Sequence, residues 1–202
     1  VIVSWSISCG KCYYCLSGRD NICQNVKALG IDTDGGFAEY ISVPEKNVFE
    51  LPNGISYEEG SLITEALGTP YHAVRRAHID MGDTVAVYGV GGLGINAVQV
   101  AAKLRGARVV AIDVVDEKLK GARELGAYKT INAKEEDPVE RVKDLTGMGV
   151  DCAMEFIGKP ATMEQAVNSV RKGGRVIIVG ATLSSFKINA PRLFRDEIEV
   201  SG

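Results

Sequence analysis

The feature that most constrains this chain is a glycine-rich turn that joins an apolar stretch to a helical one. Residues 85–90 are apolar and lead into glycines spaced G-x-G-x-x-G at Gly89, Gly91 and Gly94. In such a turn the first glycine permits a sharp bend, the second lets a pyrophosphate approach bare backbone, and the third lets the helix pack closely. The helix N-terminus then offers free N–H groups to the phosphates. The turn therefore predicts a dinucleotide-binding unit.

An acidic residue at the end of the next apolar segment strengthens this prediction. Residues 108–112 end in Asp113, near the position about 20 residues on where a carboxylate binds the ribose hydroxyls. That carboxylate would repel the 2′-phosphate of NADP, and Val114 and Val115 follow without an arginine. We therefore predict NAD as the cofactor. A glycine-rich turn in another α/β domain is the alternative that the motif alone leaves open.

Strand and helix patterns alternate from residue 84 onward, which predicts a parallel sheet. The strands lack strict polar alternation, as expected when both sheet faces are covered. Cys152 lies mid-strand and fits a buried small apolar residue. The predicted strands are 84–89, 108–112, 128–132, 150–155, 175–180 and 197–201, and the predicted helices are 92–105, 116–125, 137–146 and 161–171. The fold class is α/β, with a doubly wound parallel sheet.

The first third of the chain has shorter and more polar segments. We predict β structure in residues 1–7, 37–43 and 47–51, a helix that starts with a capping box at Ser56, and a further helix over 71–77. The boundary between two units is expected at 68–80, which gives domains 1–75 and 76–202.

Four of the five cysteines form one cluster: Cys9, Cys12, Cys15 and Cys23. Four thiolates at such short spacings can close a tetrahedral zinc site with no open position, which is a structural site. An iron–sulfur cluster is the main rival, but the bacterial ferredoxin pattern C-x2-C-x2-C-x3-C-P is not completed here. Four reduced cysteines without a metal are the simplest alternative. We favour zinc.

Composition excludes some classes of partner. The 202 residues are 46% apolar and 24% charged, with a formal net charge of −3, which argues against nucleic acid or an anionic membrane. No segment approaches the roughly 18–20 apolar residues of a membrane span. Residues 1–8 do not resemble a signal peptide, so we expect a cytoplasmic protein.

Two linked signatures resemble those of the zinc-dependent medium-chain alcohol dehydrogenase family. One is the cysteine cluster followed by G-F-A-E-Y at residues 36–40, and the other is G-V-G-G-L-G at 89–94 with Asp113 and Lys118. The resemblance implies a Rossmann sheet preceded by part of a GroES-like, β-rich catalytic domain that carries a structural zinc site. It implies hydride transfer between an alcohol and NAD, with a catalytic zinc as Lewis acid.

The resemblance also assigns site residues. Glu65 stands where the family often has a cysteine ligand of the catalytic zinc, and Thr69 is expected beside the nicotinamide. The further residues expected to bind NAD are Gly89, Gly91, Gly92, Leu93, Gly94, Asp113, Lys118, Ile157, Gly158, Val179 and Gly180. His72 is expected to be structural. Glu65 as an exposed helical acid is the competing interpretation.

Three alternatives to a simple alcohol dehydrogenase stay open. A polyol, sugar or threonine-type dehydrogenase shares the scaffold and is favoured by Glu65, while a non-catalytic NAD-binding protein and an electron-transfer protein belong to other classes. The family's upstream catalytic cysteine and Gly-His-Glu motif are not among the 202 residues, so we expect an interior part of a longer enzyme. Residues 197–201 resemble a strand at a sheet edge. In the resembling family this region joins two cofactor domains, so we predict a homodimer or homotetramer.

Overall fold

The chain forms two compact units. The computed structural model describes residues 1–202, and they divide into Val1–Thr64 and Glu65–Gly202. The domains predicted from the sequence, 1–75 and 76–202, are functional domains: a catalytic part and a cofactor-binding part. That functional division stays a prediction.

Short elements build the first unit. They are β1 (Ile2–Val3), β2 (Ser6–Ile7), α1 (Tyr13–Leu16), β3 (Lys27–Ala28), β4 (Val48–Phe49) and α2 (Tyr57–Leu62), with 3-10 turns at Asp20–Ile22 and Glu45–Asn47. β1 pairs with β4 and β2 with β3, both antiparallel. The buried Asn47 side chain donates to the carbonyls of Ser4 and Ser6 at 3.0 and 2.9 Å. This amide supplies hydrogen bonds that such short ladders lack.

The strand predicted over residues 37–43 is wrong. The structure has no strand there, and the Phe37 and Tyr40 side chains are fully or almost fully exposed. Alternating polarity predicts a strand only where another strand supplies the ladder hydrogen bonds, and none lies alongside this segment. The strand predicted over 47–51 is present but limited to Val48–Phe49.

The capping box at the start of α2 is confirmed. The Glu59 N–H donates to Ser56 Oγ at 3.2 Å, and the Ser56 N–H donates to Glu59 Oε2 at 2.9 Å. Two of the unpaired N–H groups at this helix start are thereby satisfied.

The second unit alternates strands and helices. In order they are π-helix Ile63–Leu67 (which begins in the first unit), α3 (Gly68–Arg76), β5 (Thr84–Tyr88), α4 (Gly94–Gln99), π-helix Val100–Leu104, β6 (Arg108–Asp113), α5 (Asp116–Glu124), β7 (Lys129–Asn132), α6 (Pro138–Thr146), β8 (Val150–Glu155), α7 (Pro160–Ser169), β9 (Val170–Ile178), α8 (Ala190–Phe194) and β10 (Glu199–Ser201). Local signals explain several boundaries. Asp137 caps α6 through Val139 and Glu140, and Gly147 ends it in the left-handed conformation.

The six strands form one parallel sheet in the order β10-β9-β8-β5-β6-β7. Counted from β5, this is the doubly wound order 3-2-1-4-5-6 of dinucleotide-binding folds. The chain reverses its direction of travel across the sheet between β5 and β8. A crevice at the carboxyl ends of these two strands is where such folds bind ligands.

Apolar side chains cover both faces of the sheet. Val85 and Val87 of β5 lie in the core on one face, and Ala86 and Tyr88 lie in the core on the other. Successive residues therefore point to opposite faces without changing polarity, which explains the absence of a polar alternation.

Three of the predicted helices differ from the structure by two or more residues at an end, and the one predicted over 71–77 starts at Gly68. The helix expected to reach residue 171 ends at Ser169, because Val170 and Arg171 already belong to β9. The helix expected over 92–105 starts at Gly94 and finishes as a π-helix. Among all the helices, none is both long enough and apolar enough to cross a bilayer.

Candidate functional site

The four clustered cysteines converge on one point. Cys9 follows β2, Cys12 caps the start of α1, Cys15 lies within α1, and Cys23 follows the turn Asp20–Ile22. Their four sulfur atoms all lie within 4.8 Å of one another. None of the four forms a disulfide.

This sulfur geometry fits a single tetrahedral ion. A zinc–sulfur bond of about 2.3 Å gives tetrahedral sulfur–sulfur edges of about 3.8 Å. The Cys9–Cys15, Cys12–Cys15 and Cys12–Cys23 separations are 3.9, 3.5 and 3.9 Å. A four-iron cluster is larger than one ion and would hold the sulfurs farther apart, so the geometry favours zinc over the iron–sulfur alternative.

Backbone donors around the sulfurs favour thiolates. The N–H groups of Cys9 and Asn25 donate to Cys23 Sγ at 3.2 and 3.3 Å. Backbone N–H groups of Cys15 and Gln24 lower the pKa of the Cys12 thiol to about 6. Burial and the neighbouring sulfurs instead raise the pKa of Cys15 to about 11. A zinc ion between the four sulfurs would supply the positive charge that holds all four cysteines as thiolates.

The glycine loop, residues 89–94, has the close approaches that its motif predicts. Gly89 has φ +84°, and a Cβ there would lie 2.5 Å from Ile157 Cγ1. A Cβ on Gly94 would lie 1.8 Å from the Gly89 carbonyl oxygen, so α4 packs against the loop at a distance that only glycine allows. Gly91 and Gly92 differ, because a Cβ on either would meet nothing within 4 Å. The protein does not fill the space above them, and that space fits a pyrophosphate.

The glycine loop forms one side of a cleft of about 450 Å³. This glycine-loop cleft is lined by Ala66, Gly89, Gly91, Gly92, Leu93, Gly94, Asp113, Lys118, Phe156 and Ile157. Eight of these ten are residues that the sequence predicted to bind NAD. The predicted residues Thr69, Gly158, Val179 and Gly180 do not line it.

Asp113 anchors the glycine loop as well as lining the cleft. Its Oδ2 accepts from the Val90 N–H at 3.0 Å, and its Oδ1 accepts from the N–H groups of Val114 and Val115 at 2.8 and 3.2 Å. A carboxylate has about four acceptor positions, so three backbone bonds leave room for a ligand hydroxyl. The side chain is nearly buried, with 7% of the residue exposed.

Glu155, the fully buried last residue of β8, was not predicted as a site residue. Its carboxylate accepts from the N–H groups of Ile157 and Gly158 at 3.0 Å and from Thr162 Oγ1 at 2.6 Å. Its backbone carbonyl accepts from Val179 and Gly180. One residue therefore ties together four of the predicted cofactor residues, Ile157, Gly158, Val179 and Gly180. An acid that directly follows the apolar run Cys152–Met154 was the signal that could have identified it.

Glu65 and Thr69 lie one turn apart, beginning in the π-helix Ile63–Leu67. Thr69 Oγ1 donates to the exposed Glu65 carboxylate at 3.1 Å. The cysteine cluster is the only group of three or more potential ligand side chains close enough to hold a metal. Glu65 thus offers one possible oxygen ligand and is not part of a second cluster. The His72 side chain is largely exposed. The part of the ring that is covered loses water contact, and together with the positive charges of Arg76 and Arg75 this lowers the pKa of His72.

Fold and site together define a class of protein, one that carries both a dinucleotide-binding sheet and a four-cysteine metal site. Comparisons with known families agree. Residues 92–202 match the family model described as zinc-binding dehydrogenase, and residues 1–53 match the alcohol dehydrogenase GroES-like domain. The chain therefore belongs to the zinc-dependent medium-chain alcohol dehydrogenase family.

Individual relatives show how much of such a protein the chain represents. It is 36% identical to sorbitol dehydrogenase of Bacillus subtilis (strain 168), over 100% of this chain and 58% of that protein. Among solved structures, an alcohol dehydrogenase of the archaeon Aeropyrum pernix matches with 37% identity and a TM-score of 0.91, over 100% of this chain and 60% of that one. A zinc-binding dehydrogenase of Sinorhizobium meliloti 1021, solved with bound NADP, matches with 34% identity and a TM-score of 0.92 over the same shares. The chain spans less than two thirds of these relatives.

Proposed function

We propose that the protein containing this chain is a zinc-containing, NAD-dependent alcohol dehydrogenase. It transfers a hydride between an alcohol and NAD and so forms an aldehyde or ketone. The observation that carries this proposal is the glycine loop, whose Gly91 and Gly92 leave open space in a cleft that Asp113 also lines. Residues 76–202 act in this proposal as the NAD-binding domain, and residues 1–75 belong to the catalytic domain.

Asp113 supports NAD over NADP. The relative from Sinorhizobium meliloti was solved with NADP, so the family fold by itself does not decide the cofactor. A nearly buried carboxylate would accept hydrogen bonds from the ribose hydroxyls and would repel a 2′-phosphate. Both residues after it are valines, which offer no positive charge to such a phosphate.

The other cleft residues have distinct roles in this proposal. The N–H groups of the glycine loop bind the pyrophosphate, and Leu93 and Ile157 provide apolar contact. Lys118 adds a cation on the adenosine side, while Thr69 orients the nicotinamide. NAD, when bound, supplies the hydride acceptor. Glu155 fixes Gly158 and Gly180, so it orders the ends of β8 and β9 without lining the cleft.

Zinc has two proposed roles. The cysteine cluster holds a structural ion, because four thiolates leave no position for substrate. Glu65 would contribute one carboxylate oxygen to a catalytic zinc, directly or through water, and that ion would supply Lewis acidity towards an alcohol. The described residues do not by themselves form that second site, and we derive no step through it.

A polyol is the second candidate substrate class. The sorbitol dehydrogenase relative at 36% identity favours it, as does the glutamate at position 65 in place of the commoner cysteine. The intact protein is proposed to be a homodimer or homotetramer, and the cytoplasm remains its expected location.

The test combines turnover with zinc content in the full-length protein. We expect turnover of a panel of simple alcohols and polyols with NAD, and two zinc ions per subunit. Glu65→Ala should abolish or greatly reduce turnover while NAD binding and the structural zinc persist, and Glu65→Cys should retain zinc. Glu58→Ala, at an exposed acid on α2, is the matched control and should change nothing. Normal turnover and two zinc ions in Glu65→Ala would remove Glu65 from the catalytic site.

A further inference from the structure

A proline leaves one carbonyl beside the glycine-loop cleft without its usual helical partner. Pro70 is the third residue of α3 and is buried. It has no N–H, so it cannot donate to the Ala66 carbonyl four residues earlier. Ala66 lies in the π-helix Ile63–Leu67 and lines the cleft. Prolines and π-helical turns are both recognised causes of local helix distortion.

Asn96 of α4 supplies the missing donor. Its Nδ2 donates to the Ala66 carbonyl at 2.9 Å and to the Gly92 carbonyl at 3.0 Å. Its Oδ1 accepts from Gln99 Nε2 at 3.1 Å. An amide nitrogen carries two hydrogens, and here each one is donated to a different carbonyl. These two bonds fix the orientation of the Asn96 side chain.

These two carbonyls belong to two separate segments that both line the glycine-loop cleft. Gly92 lies in the loop that would receive the pyrophosphate, and Ala66 directly follows Glu65. Thr69, one turn further on, donates to the Glu65 carboxylate. One amide group therefore connects the cofactor loop to the segment that carries the proposed zinc ligand and the proposed nicotinamide neighbour.

We propose that Asn96 is a positioning residue that transmits occupation of the glycine-loop cleft to the π-helix carrying Glu65. This proposal rests on the proposed function in that it takes NADH as the ligand of the cleft. Phosphates bound to the glycine-loop N–H groups order Gly92, and the Asn96 amide passes that order to the Ala66 carbonyl. Coupling of this kind is reciprocal, so a fixed Glu65 segment also favours cofactor binding.

Two variants separate the two hydrogen bonds. Asn96→Leu keeps the approximate volume of the side chain and removes both donors. Asn96→Ser can still donate to the Gly92 carbonyl, four residues earlier in the glycine loop, but it is too short to reach Ala66. Gln99→Ala is the matched control, because it removes the neighbouring side chain and leaves both Asn96 donor bonds in place.

The measurement is amide hydrogen exchange of peptides covering residues 65–72, with and without saturating NADH, on the chain of this sequence. In the unaltered chain and in Gln99→Ala, NADH should slow exchange by roughly fivefold or more, the lower range of typical coupling. In Asn96→Leu and Asn96→Ser this protection should vanish, and because the coupling is reciprocal the dissociation constant for NADH should rise by no more than the same factor. A purely structural role would change exchange equally with and without NADH.

Three results would overturn the proposal. They are full NADH-induced protection in Asn96→Ser, loss of NADH binding in a folded Asn96→Ser, and loss of protection in Gln99→Ala. Absence of NADH binding to the unaltered chain is a different result, because it would reject the proposed function and this inference with it. Far-ultraviolet circular dichroism confirms folding, and Asn96→Ser serves if Asn96→Leu does not fold.

Discussion

The Asp113 carboxylate anchors the glycine loop and also lines the cleft. Three backbone N–H groups, from Val90, Val114 and Val115, fix its orientation at the end of β6. Its position on the cleft leaves acceptor capacity for a ribose hydroxyl. Pre-orientation by backbone donors means that the carboxylate needs little rearrangement when a ligand arrives.

The first prediction concerns cofactor preference at this residue. Asp113→Ser with Val114→Arg should shift the ratio of NADP to NAD affinity by about tenfold or more towards NADP, because repulsion is removed and a phosphate partner is added. Because the same change removes bonds to the glycine loop, affinity for NAD should also fall. Fluorescence titration with each reduced cofactor measures both effects.

Val114→Ala alone is the control and should leave the preference for NAD unchanged. Tighter binding of NADPH than NADH by the unaltered protein would refute the role given to Asp113.

Single residues were predictable where a motif imposes backbone geometry. Gly89 and Gly94 were identified from spacing, and the structure shows close approaches that a Cβ would block. Glu155 and Asn96 were not identified, because their importance depends on partners from other elements, Thr162 and Ala66. No local pattern reveals a tertiary hydrogen bond.

At the scale of elements, the cysteine cluster is the clearest case of structure imposed by side-chain chemistry. The elements around it are a four-residue helix, a three-residue turn and two-residue strands. Such short pieces bury little apolar surface, so an ion that joins four of their residues contributes directly to folding.

The second prediction tests that contribution. Cys12→Ser should lower the zinc content from about one ion per chain and lower the thermal midpoint by about 5 °C or more. Metal analysis and a thermal melt measure the two quantities. Cys152→Ala is the control, because Cys152 is buried in β8 and is not one of the four clustered cysteines, so the zinc content should stay unchanged. Full zinc content in Cys12→Ser would exclude the cluster as the metal site.

The third prediction concerns the amino-terminal ends of the central strands. Asp151 Oδ2 accepts from the Thr84 N–H and hydroxyl at 2.7 and 2.8 Å, and Oδ1 accepts from Arg171 Nε at 2.7 Å. Burial raises the pKa of Asp151, but these donors and the Arg171 charge outweigh it and hold the pKa below its usual value. Asp151→Ala should therefore lower the free energy of unfolding by about 1–3 kcal/mol at pH 7.

The pH dependence has a definite sign. Since the folded pKa is lowered, the carboxylate stabilises the fold at pH values above the ordinary aspartate pKa of about 3.9 and loses this effect as pH falls through the folded pKa. Urea unfolding at pH 7 and below pH 4 should show the difference between the two proteins shrinking. Asp144→Ala, at an exposed acid on α6, should stay within about 0.5 kcal/mol. A difference that is constant with pH would contradict this account.

Elements were predictable where they are long and covered. All six strands of the large sheet were expected: mainly apolar runs indicate β5, β6, β8 and β9, and the alternation of strands with helices indicates β7 and β10. Residues 37–43 failed because a strand also needs a partner. The π-helix at Ile63–Leu67 was not predicted, and one of its carbonyls, that of Ala66, is bound by an asparagine 30 residues away in sequence, a contact that no local pattern reveals.

At the scale of the whole molecule, the chain builds the six-stranded sheet outward from β5, first to β6 and β7 on one side and then to β8, β9 and β10 on the other. This order left β10 at the edge of the sheet, where it pairs only with β9. An unpaired edge favours association with another strand.

The fourth prediction is that the intact protein self-associates through β10. A two-fold axis would place the same edge of both copies together as one continuous sheet. Light scattering over a dilution series should give the mass of a dimer or tetramer. A monomer at working concentration would contradict the prediction.

The most direct test of the whole account is a calorimetric titration of NADH and NADPH into the chain and its Gly91→Val variant. We predict that NADH binds about tenfold or more tightly than NADPH, and that Gly91→Val folds but no longer binds NADH, because its side chain occupies the open space above the loop. Gly36→Val, at a glycine in the other unit with equally open surroundings, should bind NADH as the unaltered chain does. Absence of NADH binding to the unaltered chain, or unchanged binding to Gly91→Val, would contradict the account.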